Sequence, residues 1–105
     1  MMIIKIADDY TKTPGGRRVG EGNYTGEDFR KRFLEPKYKA AVQNGEYLTV
    51  DLDGGYGYPP SFLEESFGGL ARELRDKNIL KNIKIISNDE PSLIKEIEGY
   101  VESAF

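Results

Sequence analysis

Residues 50–74 read VDLDGGYGYPPSFLEESFGGLAREL and contain the signals of a strand, a loop and a helix in succession. Apolar and polar residues alternate over residues 46–53, which predicts a strand with one apolar face. Glycine, tyrosine and proline dominate residues 54–60, a composition typical of a loop. Apolar residues then recur every three or four positions over residues 61–76, so this segment is predicted to be an amphipathic helix.

Strand and helix signals also alternate on both sides of this unit. The apolar run that begins at Met1 predicts a first strand over residues 2–7, and residues 83–86 predict a third core strand. Pro91 opens the last predicted helix. Strands that alternate with helices predict an α/β domain with right-handed crossovers and parallel inner strands.

The segment between the first two strands is predicted to start as a loop and end as a helix. Residues 8–24 are rich in glycine, and Arg17–Val19 is the candidate for a short edge strand. Thr25 is predicted to cap a helix that runs to Glu35. Pro36–Gln43 is expected to be either a second helical piece or a kinked continuation. Asn44-Gly45 is expected to end it with a left-handed cap.

Composition excludes several kinds of chemistry. The chain has 105 residues, which suits one domain over residues 1–105, and it contains no Cys, His or Trp. Ser-His-Asp and Cys-His catalysis and zinc sites built from thiolate or imidazole are therefore excluded within this chain. No cofactor is expected, and a metal site would need oxygen ligands only. With no predicted signal peptide or membrane span, a cytoplasmic location is expected.

The chain is acidic overall, with 15 Lys and Arg against 18 Asp and Glu and a net charge of −3. The basic stretch Arg30-Lys31-Arg32 is interleaved with acidic residues, so it indicates a solvated helix face. Nucleic acid and membranes are therefore not expected as partners.

Three polar segments are predicted to meet at the carboxyl edge of the sheet, where open α/β sheets bind ligands. They are Asp8-Asp9, residues 51–61 and residues 87–89. Asp51 and Asp53 lie on one strand face, about 6.5–7 Å apart. One interpretation is a Mg²⁺-dependent enzyme that handles phosphate with these two carboxylates. The other is that both carboxylates bind turn amides or a nearby arginine.

The loop of residues 54–60 offers two further functions. Gly55, Gly57 and the amides up to Ser61 could hold a nucleotide or another anion at the helix start. Tyr56 and Tyr58, next to Pro59-Pro60, suit a surface that binds another protein. The alternative for these two tyrosines is that they fold back over the core.

Ser61 opens the predicted helix, and Ser61-x-x-Glu64 has the form of a capping box. A serine at a helix start is also accessible to a kinase, and the helix dipole favours the added phosphate. Glu64 and Glu65 are expected on the polar side of this helix. Gly68-Gly69 disfavours a helix unless the helix packs very closely against its neighbours.

The whole stretch of residues 50–74 closely resembles the bacterial STAS-like family of unknown function. The likeness extends upstream through Thr13-Pro14-Gly15, Gly22, Gly26-Glu27-x-Phe29-Arg30 and Leu34-x-Pro36. Pro60 stands where such sequences often carry a second hydroxyl residue beside Ser61.

The resemblance implies a mixed sheet, here of four strands, with helices mainly on one face. The best-understood STAS domains are anti-sigma-factor antagonists that are phosphorylated on a serine at the start of the helix after the central strand, and Ser61 matches that position. The expectation is therefore a non-enzymatic regulatory and signalling module that binds a protein, such as an ATP-binding serine kinase of anti-sigma or sensor-kinase type. Its oligomeric state stays open. The predicted binding and regulatory residues are Asp51, Asp53, Gly55, Tyr56, Gly57, Tyr58, Ser61, Glu64 and Glu65.

Overall fold

The computed structural model describes residues 2–105, so Met1 lies outside the described residues. The strands are β1 (Met2–Lys5), β2 (Leu48–Asp51) and β3 (Ile83–Ile86). The α-helices are α1 (Ile6–Asp9), α2 (Gly26–Phe29), α3 (Glu35–Gln43), α4 (Pro60–Leu63), α5 (Gly69–Leu74) and α6 (Ser92–Glu102). A π-helical segment, π1 (Arg30–Leu34), joins α2 to α3, and a second, π2 (Glu64–Gly68), joins α4 to α5. A 3-10 turn (Ile79–Lys81) precedes β3.

The three strands form a parallel sheet in the order β1–β2–β3. The connections from β1 to β2 and from β2 to β3 both lead toward the same edge of the sheet. Right-handed crossovers that share a direction place their helices on the same face of the sheet. Burial follows this rule. Ile4 and Val50, which are register partners, are fully buried on the covered face. Ile3 and Lys84 are exposed on the other face. The predicted α/β fold with parallel strands is confirmed.

The prediction of a fourth strand, and with it a mixed sheet, is wrong for residues 2–105. Arg17–Val19 forms a turn because carboxylates take the amide hydrogens that a neighbouring strand would need. The Arg17 amide donates to Glu21 Oε1 at 2.9 Å, and the Val19 amide donates to Glu27 Oε1 at 2.8 Å.

Residues 26–43, here called the first long helix, run without a break past Pro36. The Thr25 side chain caps this helix, as predicted, by accepting from the Asp28 amide at 3.2 Å. In π1 the Glu35 amide bonds to the Arg30 carbonyl five residues back, so the helix has already widened where Pro36 lacks its N–H. Of the two predicted forms, the continuation is therefore the observed one.

The end of the first long helix is also as predicted. The Glu46 amide donates to the Ala41 carbonyl, and the Gly45 amide donates to the Val42 carbonyl. Gly45 has a φ of +70°, the left-handed conformation that this closing motif requires.

Residues 60–74, here called the second long helix, cross the first long helix above the covered sheet face. The core between them contains an aromatic cluster, in which the ring centroids of Phe29 and Phe62 lie 5.6 Å apart. Tyr10 joins both rings from the loop after α1. Within residues 2–105, no helix combines the length and apolar character needed to cross a membrane.

Candidate functional site

The loop after β2 is fixed at the carboxyl edge of the sheet by hydrogen bonds to three parts of the chain. The Gly54 amide donates to Asp89 Oδ2 at 2.9 Å, and the Tyr56 amide donates to the Lys12 carbonyl at 2.9 Å. The Tyr58 hydroxyl donates back to the Leu52 carbonyl at 2.8 Å. Two of the three predicted segments, residues 51–61 and 87–89, are thus joined at this edge. The third contact comes from Lys12 and not from Asp8-Asp9, since Asp9 Oδ2 accepts from the Lys5 amide instead.

Asp51 and Asp53 bind the protein's own amides. Asp51 Oδ1 accepts from the Asp53 amide at 2.9 Å, and Asp53 Oδ1 accepts from the Asp89 amide at 2.9 Å. Asp53 Oδ2 also accepts from the Asn88 side chain at 3.0 Å. Asp53 and Asp89 are therefore reciprocal partners, since each carboxylate binds the backbone of the other's loop. No group of three or more acidic side chains within residues 2–105 is placed to hold a metal ion.

The two loop tyrosines have different environments. Tyr56 is 82% exposed, whereas Tyr58 is half-buried and packs against Phe62 with ring centroids 6.0 Å apart. Burial, together with the negative charges of Asp51, Asp53 and Asp89, raises the pKa of Tyr58 above its usual range. Tyr56 therefore fits the predicted exposed surface, and Tyr58 follows the alternative of folding back.

The predicted capping box at Ser61 is not formed. The second long helix begins at Pro60, and the residue at the cap position, Pro59, makes no side-chain cap. Proline favours the first position of a helix, so Pro60 moves the start one residue earlier and leaves Ser61 inside the first turn. Ser61 is partly exposed, and its hydroxyl has no hydrogen-bond partner within residues 2–105. Gly55 and Gly57 lie in the fixed loop, and Gly57 has a φ of +127°.

Glu64 and Glu65 are held by arginines that the sequence did not connect with them. Glu64 pairs with Arg17, and its Oε2 lies 2.7 Å from Arg72 Nη1. Its pKa is lowered, first by the hydrogen bond from Arg72 and then by that from Arg17. Both glutamates lie among polar side chains, as expected, but the Glu65 side chain is only 2% exposed.

The Glu65 carboxylate is surrounded by basic side chains from the loop before Thr25 and from the first long helix. Its Oε1 lies 3.2 Å from Arg18 Nη1, and its Oε2 lies 3.2 Å from Arg30 Nη2. We call these side chains the arginine–glutamate cluster, and its members are Arg17, Arg18, Arg30, Glu64, Glu65 and Arg72. The cluster joins the glycine-rich loop before Thr25 to the second long helix. The sequence alone could not show this contact.

Glycines allow the two long helices to approach closely around this cluster. A Cβ atom on Gly26 would lie 2.6 Å from the Phe62 carbonyl oxygen, and one on Gly69 would lie 2.9 Å from Arg30 Nε. On the opposite side, a Cβ on Gly68 would lie 3.2 Å from the Tyr100 carbonyl oxygen of α6. The close packing predicted from Gly68-Gly69 is confirmed.

Comparison with protein families finds a match over residues 25–93 to the STAS-like domain of unknown function (DUF4325). Comparisons with curated proteins and with solved structures find no match. The matched segment, more than half of the chain, contains both long helices, β2, β3 and the loop that carries Tyr56. The chain therefore belongs to the family of STAS-like domains of unknown function.

Proposed function

We propose that this STAS-like domain is a regulatory module that binds another protein through residues 54–61. The observation that carries the proposal is Tyr56, which is 82% exposed on a loop that is fixed through its own amide and that of Gly54. An aromatic side chain on a pre-ordered loop can contribute a large contact area at little cost in conformational entropy.

Ser61 supports a switch at the same surface. Its hydroxyl is not used as a cap, and it lies in the first turn of the second long helix. The positive end of the helix dipole would stabilise a phosphate there, which would add charge five residues after Tyr56 in the chain. The class of partner that fits such a switch is an ATP-binding serine kinase of anti-sigma or sensor-kinase type.

The structure offers less support for the two alternatives. Asp51 and Asp53 already accept hydrogen bonds from amides, which weighs against a Mg²⁺-dependent phosphate enzyme. In the loop of residues 54–60, the Tyr56 amide already donates to the Lys12 carbonyl, and Pro59 and Pro60 have no N–H, which leaves few amides to hold a nucleotide or another anion.

Phosphorylation is tested by incubating the protein with the ATP-binding serine kinases of its host and mapping phosphate by mass spectrometry. Ser92 is a matched control, because it is exposed and also follows a proline at a helix start. We expect phosphate that is lost in Ser61→Ala and retained in Ser92→Ala. Phosphate that never occurs on Ser61 with any of these kinases would contradict the switch.

The binding surface is tested by calorimetry with a kinase that phosphorylates the protein or co-purifies with it. Tyr56→Ala should weaken the complex about five- to thirtyfold, because truncating an aromatic anchor costs on the order of 1–2 kcal/mol. Phe105→Ala is the matched control, since Phe105 is also a well-exposed aromatic residue, at 59%, but lies beyond the carboxyl end of α6. Equal affinities of the two variants would place the interface elsewhere.

A further inference from the structure

A groove of about 700 Å³ crosses the uncovered face of the sheet at the amino ends of β2 and β3. It is lined by Glu46, Tyr47, Thr49, Leu80, Lys81, Ile83 and Lys84. The groove lies at the opposite end of β2 from residues 54–61, so it is separate from the surface proposed above.

The walls of the groove combine apolar and basic side chains. Tyr47 is 66% exposed, and Leu80 provides aliphatic surface beside it, whereas Ile83 is only 7% exposed. Lys81 and Lys84 are exposed and form no ion pair within the described residues, in contrast to the arginine–glutamate cluster.

The lysine charges in the groove are not compensated by the neighbouring strands. In the sheet register, Lys84 lies beside Thr49 and, one strand further, Ile3. Neither of these side chains is charged, and Ile3 is itself 39% exposed. Glu46 contributes one negative charge to the lining, so the two lysines against one carboxylate leave the rim with a net charge of +1 on a chain whose net charge is −3.

The size of the face favours a short segment over a second copy of the domain. Three strands about 4.8 Å apart, with four residues rising about 3.3 Å each, give a flat area of roughly 190 Å². A stable interface between proteins buries about 800 Å² on each partner. From the charge and the size, we infer that the groove binds a short acidic segment of a partner protein, with apolar side chains against Tyr47 and Leu80 and carboxylates beside Lys81 and Lys84.

The test is a titration of the isotope-labelled full chain, followed by NMR, with a short synthetic peptide that alternates glutamate and leucine. We expect the amides of Tyr47, Thr49 and Lys84 to shift. A peptide in which lysine replaces glutamate should leave them unchanged. Shifts confined to residues outside the groove, or equal binding of the two peptides, would overturn the inference.

A second test of the inference reverses the charges of the two lysines on the rim of the groove. The double variant K81E/K84E should weaken binding of the acidic peptide at least about tenfold, since juxtaposed like charges are strongly unfavourable. Lys95→Glu, on the exposed side of α6, is the control and should bind like the wild type. Tyr47→Ala tests the apolar wall with both lysines in place and should also bind more weakly. If the same amides shift when the protein alone is concentrated, a second copy occupies the groove and the inference fails.

Discussion

Arg30 Nη2 lies 3.2 Å from Glu65 Oε2, and the two side chains are 8% and 2% exposed. This buried ion pair joins π1 to π2, so both widened helical turns meet at one point. Arg30 Nε is buried and has no hydrogen-bond partner within residues 2–105, because it lies directly over Gly69. The close packing of the helices therefore leaves one hydrogen-bond donor of the Arg30 guanidinium without a partner among the described residues.

Glu65→Gln should be strongly destabilising. The change keeps the shape of the side chain but removes the charge that compensates the buried Arg30, and breaking such a pair costs about 3–5 kcal/mol. The free energy of unfolding from urea denaturation measures this loss. Lys31→Gln is the control, because Lys31 is 60% exposed and its pair with Glu27 should contribute only about 0.3–0.5 kcal/mol. Similar losses in both variants would show that the Arg30–Glu65 pair is not a stabilising contact.

Gly69→Ala and Gly99→Ala should change stability in opposite directions. Alanine is favoured over glycine in a helix by about 1 kcal/mol. At Gly99 in α6 an added Cβ meets nothing within 4 Å, so Gly99→Ala should raise the melting temperature. At Gly69 the Cβ would lie 2.9 Å from Arg30 Nε, so Gly69→Ala should lower it. A rise for both variants, measured by calorimetry, would mean that the helices are not as close as described.

Comparing the stabilities of Thr25→Ala and Ser61→Ala tests which of the two residues caps a helix. Thr25 accepts a hydrogen bond from the Asp28 amide, so its loss should cost about 1 kcal/mol. Ser61 makes no cap, so Ser61→Ala should change the free energy of unfolding by less than about 0.5 kcal/mol. If Ser61→Ala were as costly as Thr25→Ala, Ser61 would be the cap and the helix would begin two residues later, at Phe62.

Stability should fall in acid partly because Glu64 loses its charge. Arg72 and Arg17 lower the pKa of Glu64 below its ordinary value of 4.5. A carboxylate whose pKa is lower in the folded state stabilises the fold fully above that ordinary value and loses the contribution as the pH falls through the folded pKa. In Glu64→Gln, urea denaturation between neutral and acidic pH should therefore show a shallower dependence on pH.

Glu98→Gln is the matched control for that experiment. Glu98 is exposed on α6 and forms no ion pair within the described residues, so its replacement should leave the pH dependence as in the wild type. The role assigned to Glu64 would be contradicted if both variants followed the wild-type curve.

Local patterns in the sequence were sufficient to predict the third strand, the Thr25 cap and the close packing at Gly68-Gly69. They failed where a contact between distant residues decides the outcome. The Ser61-x-x-Glu64 pattern predicted a cap that the helix start at Pro60 removes, and it could not show that Arg17, far away in the chain, pairs with Glu64. Likewise, no periodicity shows that Arg30 neutralises a buried Glu65.

At the proposed protein-binding surface, the residue types predicted exposed tyrosines but could not show that Tyr56 is exposed while Tyr58 folds back. Two tyrosines flank Gly57, and only the distance from the Tyr58 hydroxyl to the Leu52 carbonyl tells which of them is tethered. Hydrogen bonds that link loops from different parts of the chain are set by the folded sheet, and so they lie beyond what spacing alone can predict.

The reciprocal bonds of Asp53 and Asp89 give the carboxyl edge a mechanical property. Each loop is clasped by the side chain of the other, so neither can be displaced alone. A protein that moves Tyr56 would strain Gly54, then Asp89, and then the beginning of α6. Farther along that helix, the Tyr100 carbonyl lies close to Gly68, so α6 connects the carboxyl edge of the sheet to the second long helix.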